Sequence, residues 1–103
     1  MKWEVEFYKT YDNKEPVKEW LDTFDKKTKS KIQKHFQRLE RKKLNLKHSF
    51  IKHIETQLYE INISEEKRVF KIIFFPNSKR KFILIHAFTK NISKSTQGLK
   101  AVA

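Results

Sequence analysis

The four histidines, His35, His48, His53 and His86, offer no pair at i and i+4 on a helical stretch and no carboxylate cluster beside them. The spacing that closes imidazoles around a metal ion is therefore missing. The chain has no cysteine, which removes a thiolate zinc site, a disulfide scaffold and a cysteine nucleophile. Its one glycine, Gly98, cannot build a phosphate-cradling loop, and no serine has the flanking glycines of a strained nucleophile elbow. Paired carboxylates for glycoside chemistry are absent from the basic half of the chain. What remains is chemistry done by cations. RNA can be cut without a metal because its own 2′-hydroxyl is the nucleophile. The protein must then hold that oxygen in line with the phosphorus, take its proton, stabilise charge on the phosphate and protonate the leaving 5′-oxygen. Lys and Arg can do the third task through charge-assisted hydrogen bonds. Lys, His, Tyr or Glu can attempt the proton transfers, and a lysine base would have its pKa lowered by crowding among other cations. The same composition suits RNA binding without cleavage, so composition alone does not choose between them.

Charge points to the partner. Twenty-four Lys and Arg face twelve Asp and Glu, a net charge of +12 on 103 residues. Solubility needs much less. Such an excess predicts an anionic partner: nucleic acid, acidic protein or anionic lipid. A surface merely filled with lysine would spread its charge evenly. Here residues 1–25 carry a net −3, 26–53 a net +10, 54–66 a net −4 and 67–103 a net +9. Two basic blocks separated by acidic ones predict a basic surface built from two regions.

The length fits one domain, and nine Phe, two Trp and three Tyr are enough to build a core. Uninterrupted apolar runs reach only four residues, as at Ile72 to Phe75, so no membrane span is expected. The N-terminus, MKWEVEFYK, is charged where a secretion signal needs apolar residues. These features predict a soluble cytoplasmic domain that needs no cofactor.

The elements that must position the cations follow from periodicity. Residues 2–8 alternate, with Trp3, Val5 and Phe7 on one side. Asp12 to Lys14 form a turn, and Pro16 suits the first turn of a helix over 15–24, where Val17, Trp20, Leu21 and Phe24 share a stripe. Asp25 is placed to cap a second helix, 26–43, with Ile32, Phe36 and Leu39 inward and Lys or Arg over most of the rest. Residues 44–56 read as a loop anchored by Leu44, Leu46, Phe50 and Ile54. Strands follow at 58–63, 68–75 and 81–88, joined by short connections that favour antiparallel pairing. The order β-α-α-β-β-β predicts an α+β fold. In it a two-helix hairpin packs on one face of a small antiparallel or mixed sheet of about four strands. After Phe88 the chain is polar and basic, with any C-terminal helix reduced or absent.

From residue 52 onward the sequence resembles the HigB-like branch of the RelE toxin superfamily, including its phage-derived members. These proteins commonly show K-x-L…G-L-[YW]-E-L-R, then [YF]-R-[IV]-x-[YF], then L-x-x-F-x-K-K and a basic segment. The chain reads Lys52, then Leu58-Tyr59-Glu60-Ile61, then Arg68-Val69-Phe70, then Ile83-Leu84-Ile85-His86-Ala87-Phe88-Thr89-Lys90. Upstream, a strand, a helix opening at Pro16-Val17 with Trp20-Leu21, and a long basic helix agree with the same plan.

The resemblance implies the toxin of a type II toxin–antitoxin pair, an endoribonuclease that cuts mRNA on the ribosome without a metal. It also implies a cognate antitoxin, itself a DNA-binding protein, that blocks the toxin. It carries Arg68, Lys90 and Lys94 over as catalytic cations, with Lys52, Lys71, Lys79, Arg80 and Lys81 available to bind RNA. Glu60 matches the strand glutamate and reads as the partner of a nearby cation; His86 matches a strand histidine and reads as a core residue beside Leu84 and Phe88. Asn62 and Asn91 stand where the family usually has Arg and Lys. A catalytically weakened RNA- or protein-binding module is therefore the alternative to an active nuclease.

Overall fold

The alternation of the first residues forms strand β1 (Glu4–Phe7), with Val5 and Phe7 half-buried and Glu4 and Glu6 exposed. Trp3, just before it, stacks on Phe82 with ring centroids 4.8 Å apart. The computed structural model describes residues 2–42 and 49–92. Pro16 opens helix α1 (Pro16–Leu21), which buries Val17 and Leu21. It ends earlier than the apolar spacing suggests. Thr23 and Phe24 donate backbone bonds three residues back, to Trp20 and Leu21, and the Thr23 hydroxyl donates to the Trp20 carbonyl as well. That tightens and closes the last turn. Phe24 still reaches the core, 5.2 Å from the Phe70 ring.

Helix α2 (Lys26–Lys42) starts where Asp25 caps it: Asp25 Oδ1 accepts the Thr28 N–H at 3.0 Å, and the Asp25 carbonyl accepts that of Lys29. Ile32, Phe36 and Leu39 are buried on its inner stripe. Together with Val17 and Leu21 they form one core with Ile61, Ile63, Phe70, Ile72, Phe74, Phe82 and Leu84. One face of the sheet is thus covered by helices, and among the described residues no helix packs on the other, here called the open face.

The sheet has five strands: β1, β2 (Ile51–Glu55), β3 (Leu58–Ser64), β4 (Arg68–Pro76) and β5 (Lys81–Asn91), ordered β1-β5-β4-β3-β2. Strands β2 to β5 form an antiparallel meander, and β1 lies parallel to β5 at the far edge, with Val5 opposite Phe82. Its outer edge is partly closed by α2, from which Glu40 Oε2 accepts the Val5 N–H at 2.8 Å.

Strand β2 corrects the loop expected over 44–56. As an edge strand it is exposed along most of both faces, so it lacks the alternation that marks a half-buried strand. Its pairing with β3 makes it a strand, helped by the bond from the Asn62 N–H to the Phe50 carbonyl. Phe50 is buried, whereas Ile54 is 42% exposed and anchors nothing. Leu44 and Leu46, and the chain beyond Ile92 with the question of a C-terminal helix, lie outside the described residues.

A bulge in β5 decides which side chains face outward. Ile73 stands opposite His86 but Phe74 opposite Leu84, which leaves Ile85 as the extra residue. Phe82 and Leu84 face the helices; after the bulge the parity reverses, and His86, Phe88 and Lys90 face the open side. His86 is exposed, not a core residue as its neighbours suggested.

Candidate nucleic-acid interface

Side chains opposite one another in a sheet share a face, so the register assigns each cation to a side. On the open face, Asn62, Lys71 and Phe88 form one cross-strand row, Lys52, Glu60, Ile73 and His86 a second, and Val69 with Lys90 a third. Lys71 lies at the centre. Its Nζ donates to Asn62 Oδ1 at 2.7 Å and lies 3.4 Å from Glu60 Oε1. Glu60 is buried at 9% exposure and balances that ammonium. Lys52 and Lys90 are exposed and make no ion pair among the described residues. Phe88, 38% exposed, lies 5.7 Å from the His86 ring. An exposed aromatic pair between cations is the arrangement on which unstacked bases rest while the backbone meets positive charge.

Arg68 is on the other face. It shares the parity of the buried Phe70, Ile72 and Phe74, and its register partner is Asn91. Its Nε donates to Glu65 Oε1 at 2.6 Å and its Nη2 to the Thr28 hydroxyl at 3.3 Å. The guanidinium lies over the rings of Phe70 and Phe24, at 4.8 and 5.5 Å. The bond from Arg68, more than that from Lys31, holds the Glu65 carboxyl below its ordinary range. The register therefore sets Arg68 and Lys90 on opposite faces of the sheet. Lys94 lies outside the described residues.

Beside Glu65 a cleft of about 620 Å³ opens between the first half of α2 and the β3–β4 turn. Lys27, Thr28, Ser30, Lys31 and Lys34 line one wall, and a shallower extension runs past Glu66 and Lys67.

The remaining expected RNA ligands, Lys79, Arg80 and Lys81, cluster at the β4–β5 turn. At about 3.3 Å per residue this turn is roughly 30 Å from Lys90. Lys79 and Arg80 are exposed; Lys81 is paired with Glu4 at 3.0 Å, which raises its pKa and lowers that of Glu4.

Among the described residues no three His, Asp or Glu side chains are grouped to hold a metal ion, and no helix is long and apolar enough to cross a membrane.

The central place of Lys71 had a signal in the sequence. The window Phe70-Lys71-Ile72-Ile73-Phe74 fits the [YF]-R-[IV]-x-[YF] pattern in both aromatic positions, with Lys in place of Arg. The window Lys67–Lys71, with Arg68 in the arginine position, has Lys67 and Lys71 where the pattern has aromatics. Strand parity gives the same result, because a residue two positions from a buried Phe shares its face.

A family model described as phage derived protein Gp49-like (DUF891) matches residues 19–103, from within α1 through β5 and the chain beyond. No curated protein matches the chain.

Proposed function

We propose a function from the premise that the chain belongs to the Gp49-like family of phage-derived proteins, within the RelE/HigB-like toxin superfamily. It is the toxin of a type II toxin–antitoxin pair and an endoribonuclease that cuts mRNA on the ribosome. The observation that carries this reading is the open sheet face, where the register sets Lys71 among Lys52, Lys90, His86 and Phe88, with no helix over it among the described residues. RNA lies along this face with a base against Phe88. Lys71 and Lys90 stabilise the charge that develops on the scissile phosphate. The 2′-oxygen attacks phosphorus, the bond to the 5′-oxygen breaks, and the products are a 2′,3′-cyclic phosphate and a 5′-hydroxyl. The proton leaves the 2′-hydroxyl for a base, and another reaches the 5′-oxygen from an acid. His86 is an exposed side chain on this face suited to one of those transfers. The antitoxin covers the same face with acidic and apolar groups.

The test is expression of the chain without a partner, followed by mapping of mRNA ends. Growth arrest with cuts inside translated frames is the expected result. Unimpaired growth with intact message removes the nuclease. A second reading, an RNA-binding module without cleavage, draws on Asn62 and Asn91 standing where the superfamily pattern has cations. It predicts binding to RNA that remains uncut.

A further inference from the structure

We infer that the cleft between α2 and the β3–β4 turn is a second binding site for RNA backbone phosphate, with Glu65 as its resident counter-ion. The inference rests on the RNA-binding reading and adds a contact that cleavage does not use, because the cleft lies on the helix side of the sheet. Lys27, Lys31 and Lys34 recur at i, i+4 and i+7, so they stand along one stripe of α2 about 10 Å long. Lys67 and Arg68 line the adjoining pocket, which shares Lys31 and Glu65 with the cleft. These five cations meet Glu65 and Glu66, and Asp25, the cap of α2, also lies within electrostatic reach of Arg68 and Lys27.

The position of Glu65 shows what the site accepts. Its carboxylate lies between a guanidinium and an ammonium, taking Arg68 Nε at 2.6 Å and Lys31 Nζ at 3.3 Å. Two phosphate oxygens satisfy the same donors. The guanidinium is already fixed by Thr28 and by the rings of Phe24 and Phe70, so little ordering remains for a ligand to impose. Glu65, 22% exposed on the turn, has solvent to swing into when a phosphate replaces it. The lining favours RNA over a protein. A protein partner needs apolar or aromatic anchors, and the cleft wall consists of Lys, Thr, Ser, Glu and Arg.

The experiment measures binding of a 12-nucleotide single-stranded RNA, and of a hairpin with the same number of phosphates, over a salt series. The proteins are the full chain, Lys31→Ala/Lys34→Ala, Glu65→Gln and an open-face control, Lys71→Ala/Lys90→Ala. For the single strand, loss of two phosphate contacts reduces the log–log salt slope by about 1.4. Glu65→Gln tightens binding several-fold, because a phosphate no longer competes with a charged carboxylate. The Arg68 Nε–H resonance shifts on RNA addition, a readout that needs no variant. If Glu65→Gln fails to fold, the exposed double variant and the resonance still decide. A larger effect on the hairpin assigns the cleft to folded RNA, and a larger effect on the single strand assigns it to the message; either supports the site. RNA binding that depends on Lys71 and Lys90, but leaves the slope of Lys31→Ala/Lys34→Ala and the Arg68 resonance unchanged, overturns the cleft alone. Absence of RNA binding by the unaltered chain overturns the RNA-binding reading with it.

Discussion

Lys71 reaches from β4 to β3 and donates to Asn62 Oδ1 at 2.7 Å, so the central cation of the open face is held by the residue that replaces the superfamily's usual arginine. A neutral amide positions the ammonium without adding a second positive charge beside it. Lys52 and Lys90, which make no ion pair among the described residues, stand in the rows on either side of it.

Lys71→Ala is expected to lower translation-coupled mRNA cleavage by roughly 100- to 1,000-fold, the usual cost of removing one preorganised donor to a developing charge. Arg68→Ala should act differently, through stability. It removes a guanidinium from Phe24, Phe70, Thr28 and Glu65, which costs about 1–2 kcal/mol. Thermal unfolding beside a cleavage assay at matched protein levels separates the two. Wild-type cleavage by Lys71→Ala would move the reaction off this face.

Phe88→Ala should weaken single-stranded RNA binding by about 1–3 kcal/mol, the range for one base stacked on an aromatic ring. The ring is 38% exposed and not part of the buried core, so the melting temperature should change little. Fluorescence anisotropy and a melting curve check both halves.

Binding of the unaltered chain to single-stranded RNA should be strongly salt-dependent. With about five Lys or Arg neutralising phosphates, the log–log slope is expected near −3 to −4. A flat response would show that the two basic blocks serve another purpose.

The pH dependence of stability follows from Glu65. Its folded pKa is depressed, first by the hydrogen bond from Arg68, from an ordinary value of 4.5. A depressed carboxyl stabilises the fold above its unfolded pKa and loses that contribution as pH falls toward the folded value. Melting temperature should therefore decline as pH drops below about 4.5, and Glu65→Gln should make that decline shallower. Asp22 and Asp25 shift in the same direction, Asp22 chiefly through Lys29 and Asp25 chiefly through Thr28, so part of the decline will remain.

Glu40→Ala should destabilise the chain by about 1–2 kcal/mol, because the Val5 N–H loses a charged acceptor on an edge strand. An edge donor without a partner also invites pairing with another chain. A lower melting temperature together with earlier elution on size exclusion is the expected pair of observations.

Local periodicity was enough to place α2 and the strands β3, β4 and β5, because each buries one regular stripe or face that its own residues display. Asp25 as the cap of α2, Pro16 as the start of α1, and Glu60 as a cation's partner were equally legible, since each depends on neighbours close in sequence or one strand away. Total charge and its division into blocks pointed to an anionic partner with no fold at all. Tertiary structure alone decided the rest. Strand β2 exists through its pairing with β3 and carries no alternation of its own. The partner of β1 is β5, the strand farthest from it in the chain, and no local pattern encodes such a pairing. The unpaired Ile85 inverts the parity of β5 and turns His86, Phe88 and Lys90 to the open side, because one extra residue in a period of two exchanges the faces of all that follows. The same period sets Arg68 against the helices and Lys71 against solvent, so the two cations, three residues apart, serve opposite sides of the sheet.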